Sequence, residues 1–292
     1  MQIRELTPDR YADWDDFVFA HPAGWFWHDS QWLHYCEAYR NGNVNKSFMV
    51  LDNERIVGIC PLIQQGEAFS AGGDPLPWPL VAEGTDRLEV SWTMIPEQRR
   101  ICKALPLAFR QSPLAARIEV NETEGWKDIS WSSRVLDLTR PLDEIWRGVS
   151  KGHAAAIHKG LREMDIREQE DVESLHQLHV REAGRETRPL STWYLMQQWL
   201  IQARGWLYEA IDDDCRLAGA AYFITYKQKA YYASAAYVRD GVAHALVWTA
   251  IRQLRQLGIT ALELGRVDGY AGDFKRGFGG EDRPVVAVEW RR

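Results

Sequence analysis

Apolar positions along the chain follow two periods. From His244 to Gly258, Val247, Ala250, Ile251, Leu254 and Leu257 recur at helical spacing, which predicts an amphipathic helix with Gly258 as its C-terminal stop. Just before it, GWLYEAID, RLAGAAYFITY and KAYYASAAY, spanning 205–237, are β-like runs joined by short turns, which predicts an antiparallel meander. Two helices, VESLHQLHVREAG and TWYLMQQWLIQARG, precede the meander. A helical junction covers 142–164 and is expected to break at Gly152, and strands TALELG and PVVAVEW close the chain.

The first half follows a similar order. A strand QIRELT leads into the helix DRYADWDDFVFAH and then SQWLHYCEAYR, with Ser30 as its expected N-cap. Two β-like runs flank a turn at Asp52-Asn53, and AGGDPLPWPL reads as loop. A helix is expected over much of 96–111, interrupted near Pro106, followed by strands ARIEVNE and SSRVLDLT. DNERIVGICPL, 52–62, aligns with DDCRLAGAAYF, 213–223, placing Asp, Arg and Gly identically. With the matching order of elements, this points to a duplication.

Composition narrows the classes. A chain of 292 residues with 46% hydrophobic and 26% charged residues is that of a globular protein of about two domains. The net charge of -6 offers no global attraction to double-stranded DNA or to an anionic membrane, so a polyanion needs a local basic patch. No run is long and apolar enough for membrane insertion, and a cytoplasmic protein is expected. The four cysteines are widely separated, which suggests free thiols and no zinc site, and the histidines lack acidic or thiol partners at ligand spacing. No tightly bound cofactor is expected. There is no G-x-S-x-G elbow and no P-loop, which argues against a serine hydrolase and a nucleoside triphosphatase.

Three stretches concentrate candidate chemistry. GDFKRGFGG, 272–280, holds Lys275 and Arg276 between Phe274 and Gly277. IWRGVSKGHAAAIHKGLR, 145–162, contains Arg147, Lys151, His153, His158, Lys159 and Arg162 without an acid, a natural place for a phosphate-bearing ligand. YVRDGVAHAL, 237–246, sits where a strand meets a helix, and amides at a helix start attract anions.

FKRGFGG in the first of those stretches, with LDLTRPLDEIWRGVSKGHAAAIHKGLR and ALVWTAIRQLRQLGITALELG, resembles the FemAB-like branch of the GCN5-related N-acetyltransferase (GNAT) superfamily, which also includes BioF2-like domains. The likeness is clear over 134–282 and rests on HDSQWL and IVGICPL before that. It implies an α+β chain of two tandem GNAT-like domains, 1–140 and 141–292, each a mixed, mostly antiparallel sheet flanked by helices. It further implies an acyltransferase that forms an amide between an activated acyl or aminoacyl group and an amine-bearing acceptor seated between the domains. Lys275 matches the lysine of the family's FK..FG motif and is expected to stabilise developing charge, with Gly277, Gly279 and Gly280 admitting a ligand close to backbone. Glu263, or Asp268 in the loop beyond it, is a candidate proton acceptor, and Tyr237 a candidate partner of the leaving group.

Two departures from the family bear on the donor. The family segment usually carries an Arg where this chain has His153. Of the [RQ]xxGx[GA] loop that holds the CoA pyrophosphate, Gly241 and Ala243 fit, while Val238 occupies the cation position and Arg239 follows one residue late. The expected co-substrate is thus aminoacyl-tRNA, recognised by its acceptor end, ahead of acyl-CoA. An acyl-CoA-dependent N-acetyltransferase and a non-catalytic binding protein are the alternatives.

Overall fold

The structure, a computed structural model, describes residues 1–71, 73–103, 105–117, 126–239 and 241–290, and of Tyr270 the backbone alone. The strand expected over 116–122 lies from 118 onward outside the described residues. The chain divides into two compact units, Met1–Trp131 with Val285–Arg292, and Ser132–Pro284.

The first unit holds, in order, β1 (Gln2–Glu5), α1 (Tyr11–Ala20), α2 (Ser30–Ala38), β2 (Val44–Asn45), β3 (Phe48–Asp52), β4 (Arg55–Cys60), β5 (Ile63–Gln65), β6 (Ala68–Phe69), β7 (Leu76–Pro77), β8 (Leu80–Val81), α3 (Arg87–Cys102), β9 (Leu107–Arg110) and β10 (Trp126–Asp128). The second holds β11 (Trp131–Asp137), α4 (Leu142–Arg147), α5 (Lys151–Glu163), β12 (Met164–Gln169), α6 (Glu173–Ala183), α7 (Leu190–Ile201), β13 (Gly205–Asp212), β14 (Leu217–Tyr226), β15 (Lys229–Tyr237), α8 (Val242–Gln256), β16 (Ala261–Arg266), α9 (Tyr270–Arg276) and β17 (Glu281–Val285). The last strand, β18 (Ala287–Trp290), lies between β9 and β10.

The unit boundaries differ from 1–140 and 141–292 because of strand pairing. β11 runs antiparallel to β16, which places 132–140 in the second unit. β18 pairs with β9 and β10, which assigns the C-terminal strand to the first. The same pairing corrects the expected helix over 96–111. Leu107–Arg110 is a strand because Ala287–Trp290 lies alongside it, and such a distant partner overrides local preference. The helix starts earlier, at Arg87, where the Asp86 carboxylate accepts the Leu88 and Glu89 amides at 2.9 and 3.2 Å, and it runs through Pro96. Asp29, rather than Ser30, caps α2 by accepting the Gln31 amide. The helical junction breaks at Gly148–Ser150 rather than at Gly152, because the Ser150 side chain caps α5. The stretch 71–80 contains the short strands β7 and part of β8.

In the second unit the sheet order is β12-β13-β14-β15-β16-β11-β17, with the meander antiparallel as expected. Helix α8 buries Val242, Leu246, Val247, Ala250, Ile251 and Leu254 in the core, each Leu or Ile contributing about 2 kcal/mol by leaving water. Leu257, expected on the same face, is exposed at the C-cap.

The aligned segments 52–62 and 213–223 prove to be equivalent hairpins. In β3–β4 the pairing passes from Val50↔Gly58 to Leu51↔Ile56, and in β13–β14 from Ala210↔Gly219 to Ile211↔Leu217. Each skips the residue before the aligned glycine. A Cβ on Gly58 would strike Val90 and Met94 of α3, and one on Gly219 would strike Val242 and Leu246 of α8. Both glycines therefore serve the same purpose, letting a helix settle onto the hairpin.

Candidate functional site

In the second unit, parallel strands β15 and β16 are paired only over Lys229–Tyr231 and Ala261–Glu263. Beyond this point β15 continues to Tyr237 along β14, while β16 continues to Arg266 along β11. The two strands part after Tyr231 and Glu263. Residues 231–235 are all partly exposed although β15 is an interior strand, as expected beside such an opening. A bulge at Leu264 of β16, skipped where Arg134 and Val135 pair with Gly265 and Glu263, accompanies the divergence, beside Gly265 at φ +84°.

Lys275 stands at this opening. Its Nζ donates to the Arg266 carbonyl at 2.7 Å and would lie 3.3 Å from a Cβ at Gly265, so the missing side chain there makes room for the ammonium. The same Cβ position is 3.8 Å from the Tyr231 hydroxyl. Burial pushes the Lys275 pKa below its ordinary value, against the opposing pull of the Glu263 carboxylate. Glu263 is buried, and its Oε1 accepts from the Ser133 hydroxyl at 2.7 Å. Lys275, Glu263 and Tyr231 are thereby brought together. Asp268 instead pairs with Arg266 at 2.7 Å.

GDFKRGFGG proves to be largely helical, with Gly272 to Arg276 inside α9. Its glycines correct the expectation of close ligand approach, because the chain itself fills the space beside them. A Cβ at Gly277 would lie 2.0 Å from the His153 ring, one at Gly279 2.8 Å from the Gly148 carbonyl, and one at Gly280 2.3 Å from the Val135 carbonyl. Phe278 is fully buried, and Phe274 packs on it edge-to-face with centroids 5.2 Å apart, so both anchor α9 to the core. Arg276 pairs with Asp282 at 3.0 Å, and Asp282 also accepts from Arg134 at 2.8 Å.

The basic segment divides into two faces. Lys151, Lys159 and Arg162 are exposed at positions i, i+8 and i+11 of α5, one outward stripe, with His158 beside them against Trp146. His153 points inward. Its Nε2 donates to the Phe274 carbonyl at 2.8 Å and its Nδ1 lies 3.1 Å from Ser150 Oγ, so its ring nitrogens serve the fold rather than a phosphate. Arg147 pairs with Asp143 at 2.8 Å.

At the start of α8, Gly241 is the N-cap at φ +85°, and Ala243 is buried in the first turn. Gly160 of α5 faces this turn, where a Cβ would stand 2.8 Å from the Gly241 carbonyl. Arg239 pairs with Asp212 at 3.3 Å, which ties it to the end of β13. Tyr237 is exposed at the end of β15.

One pairing is not legible in the sequence. His179 Nε2 lies 3.0 Å from Ser234 Oγ on β15, and Trp193 packs beside the His179 ring. Burial, reinforced by the charge of Arg188 and by His176, lowers the His179 pKa from 6.5 to about 4. No local signal joins His179 to Ser234, since the contact spans 55 positions of sequence. Among the described residues no cluster of His, Cys, Asp or Glu could hold a metal ion, and no helix is long and apolar enough to cross a membrane.

No family model and no curated protein matches the sequence. Solved structures match over nearly the whole chain. FemX aligns with a TM-score of 0.67 and 13% identity, over 100% of this chain and 98% of that one. L-PGS from Bacillus licheniformis aligns at 0.64 and 12%, over 98% and 92%. A tandem GNAT protein from the clavulanic acid biosynthesis pathway, solved without AcCoA, aligns at 0.62 and 14%, over 99% and 97%. The chain thus has the fold that these structures share, a tandem GNAT-like one.

Proposed function

We propose that the chain is an amide-forming acyltransferase whose reaction takes place where β15 and β16 part. The observation that carries this reading is the placement of the Lys275 ammonium, on the Arg266 carbonyl beside Gly265, at that opening. A donor carbonyl lying in the gap would have a cation beside the oxygen on which negative charge develops. The amine lone pair forms the C–N bond, and the donor's C–O or C–S bond breaks with its electron pair on the leaving atom. The amine's proton passes to Glu263, directly or through water, and Tyr237 is the proton donor to the leaving atom.

The donor favoured is an aminoacyl-tRNA, with the outward stripe of Lys151, Lys159 and Arg162 meeting its phosphates. Acyl-CoA is the second reading, favoured by the start of α8, where Gly241 brings no side chain over the first amides. Purified protein should transfer an acyl group from one of these donors to an amine, and Lys275→Ala should lower turnover by about 10²–10³-fold. Transfer from neither donor, or undiminished transfer by the variant, defeats the reading. A thermal shift with acetyl-CoA or CoA and none with an aminoacyl-tRNA end analogue reverses the order of the donors.

A further inference from the structure

We infer that His153 is a positioning residue for Lys275, joining the start of α5 to α9 so that the ammonium stays at the opening. The inference rests on the proposed role of Lys275 for its functional meaning, while its geometry stands by itself.

Helix α9 has only seven residues, too few for a stable helix in isolation, so tertiary contacts must hold it. Phe274 provides part of that hold, and His153, packed against it, adds a hydrogen bond. The Nε2–H of His153 bonds to the Phe274 carbonyl, one residue before Lys275, which leaves Nδ1 to accept from the Ser150 hydroxyl. The ring covers Gly277, two residues after Lys275, so closely that no side chain fits there. It also packs against His244, Phe278 and Phe274, with centroids 4.5, 5.0 and 5.9 Å away. The Ser150 amide donates to the Gly277 carbonyl at 2.9 Å, so the cap of α5 and the end of α9 are bound twice. Lys275 is therefore bracketed by residues that touch one imidazole. The same turn of α5 begins the outward stripe at Lys151.

The test uses the full-length protein and an amine-acetylating reagent, with labelling rates read lysine by lysine by mass spectrometry. His153→Ala should raise the rate at Lys275 about tenfold, the effect expected when a hydrogen bond and its packing are removed from a local opening equilibrium, while Lys46 and Lys127 keep their rates. His153→Gln, which retains an N–H donor near the Nε2 position, should return Lys275 to within about twofold of the parent. Gly277→Ala, which leaves His153 intact but displaces its ring, should mimic His153→Ala. An unchanged rate at Lys275, a parallel rise at all three lysines, or failure of the glutamine to rescue overturns the inference. In transfer assays His153→Ala should lower kcat more than it raises the acceptor KM. If neither parent nor variants transfer while the labelling follows this pattern, the functional reading falls and the positioning role stands.

Discussion

Lys275 reaches back nine residues to hydrogen-bond the carbonyl of Arg266, 2.7 Å from its ammonium. The partner is a neutral oxygen, and the surrounding burial favours loss of the proton. If catalysis needs the charged form, activity should decline on the alkaline side at a pH below the ordinary lysine value. Lys275→Arg, which stays charged, should extend activity to higher pH even if its maximum is lower. A pH profile of kcat with no alkaline limb, or with the same limb in both proteins, counts against the ammonium as the acting species.

The stripe on α5 makes a prediction about salt. With an aminoacyl-tRNA donor, changing Lys151, Lys159 and Arg162 to Gln should weaken binding at low salt. It should also flatten the plot of log affinity against log salt by about 0.7 for each single-stranded phosphate that the variant no longer neutralises. An unchanged slope would place the tRNA elsewhere.

His179 predicts an acid limb of stability. Its pKa in the folded protein, about 4, lies below the unfolded 6.5, so the unfolded chain binds more protons between these values. The stability tied to the neutral imidazole is present above pH 6.5 and declines as pH falls towards 4. In His179→Asn this part of the pH dependence should disappear from denaturant midpoints measured across that window. A variant as acid-sensitive as the parent would show that other groups control it.

In the first unit, Arg110 is buried with its guanidinium 3.7 Å above the Trp27 ring and paired to Asp74 at 2.9 Å. Asp74 is more than half exposed, so water screens the pair and Asp74→Asn should cost about 1 kcal/mol, whereas Arg110→Met should cost less. Chemical denaturation of the two variants decides the order.

The parts of the fold legible in the sequence are those set by neighbours in the chain. The meander from Gly205 to Tyr237 and the apolar stripe of α8 each carry their own periodicity. The strand character of Leu107–Arg110 depends on Ala287–Trp290, and the true start of the second unit depends on β11 meeting β16, neither of which leaves a local pattern. In the candidate site, Lys275 and Glu263 could be named because residue type and motif suggested chemistry. The imidazole that covers Gly277 is not legible in the sequence, because a glycine next to a ligand and a glycine beneath His153 are written alike. The pairing of His179 with Ser234 is illegible for the complementary reason, since each is ordinary until α6 packs on β15.

Helix α3, which like α8 rests against the glycine of its hairpin, begins under the Asp86 carboxylate. That carboxylate occupies the amides to which an incoming diphosphate would otherwise turn. The first unit therefore carries its own resident anion, and binding stoichiometry should be one donor per chain rather than one per repeat.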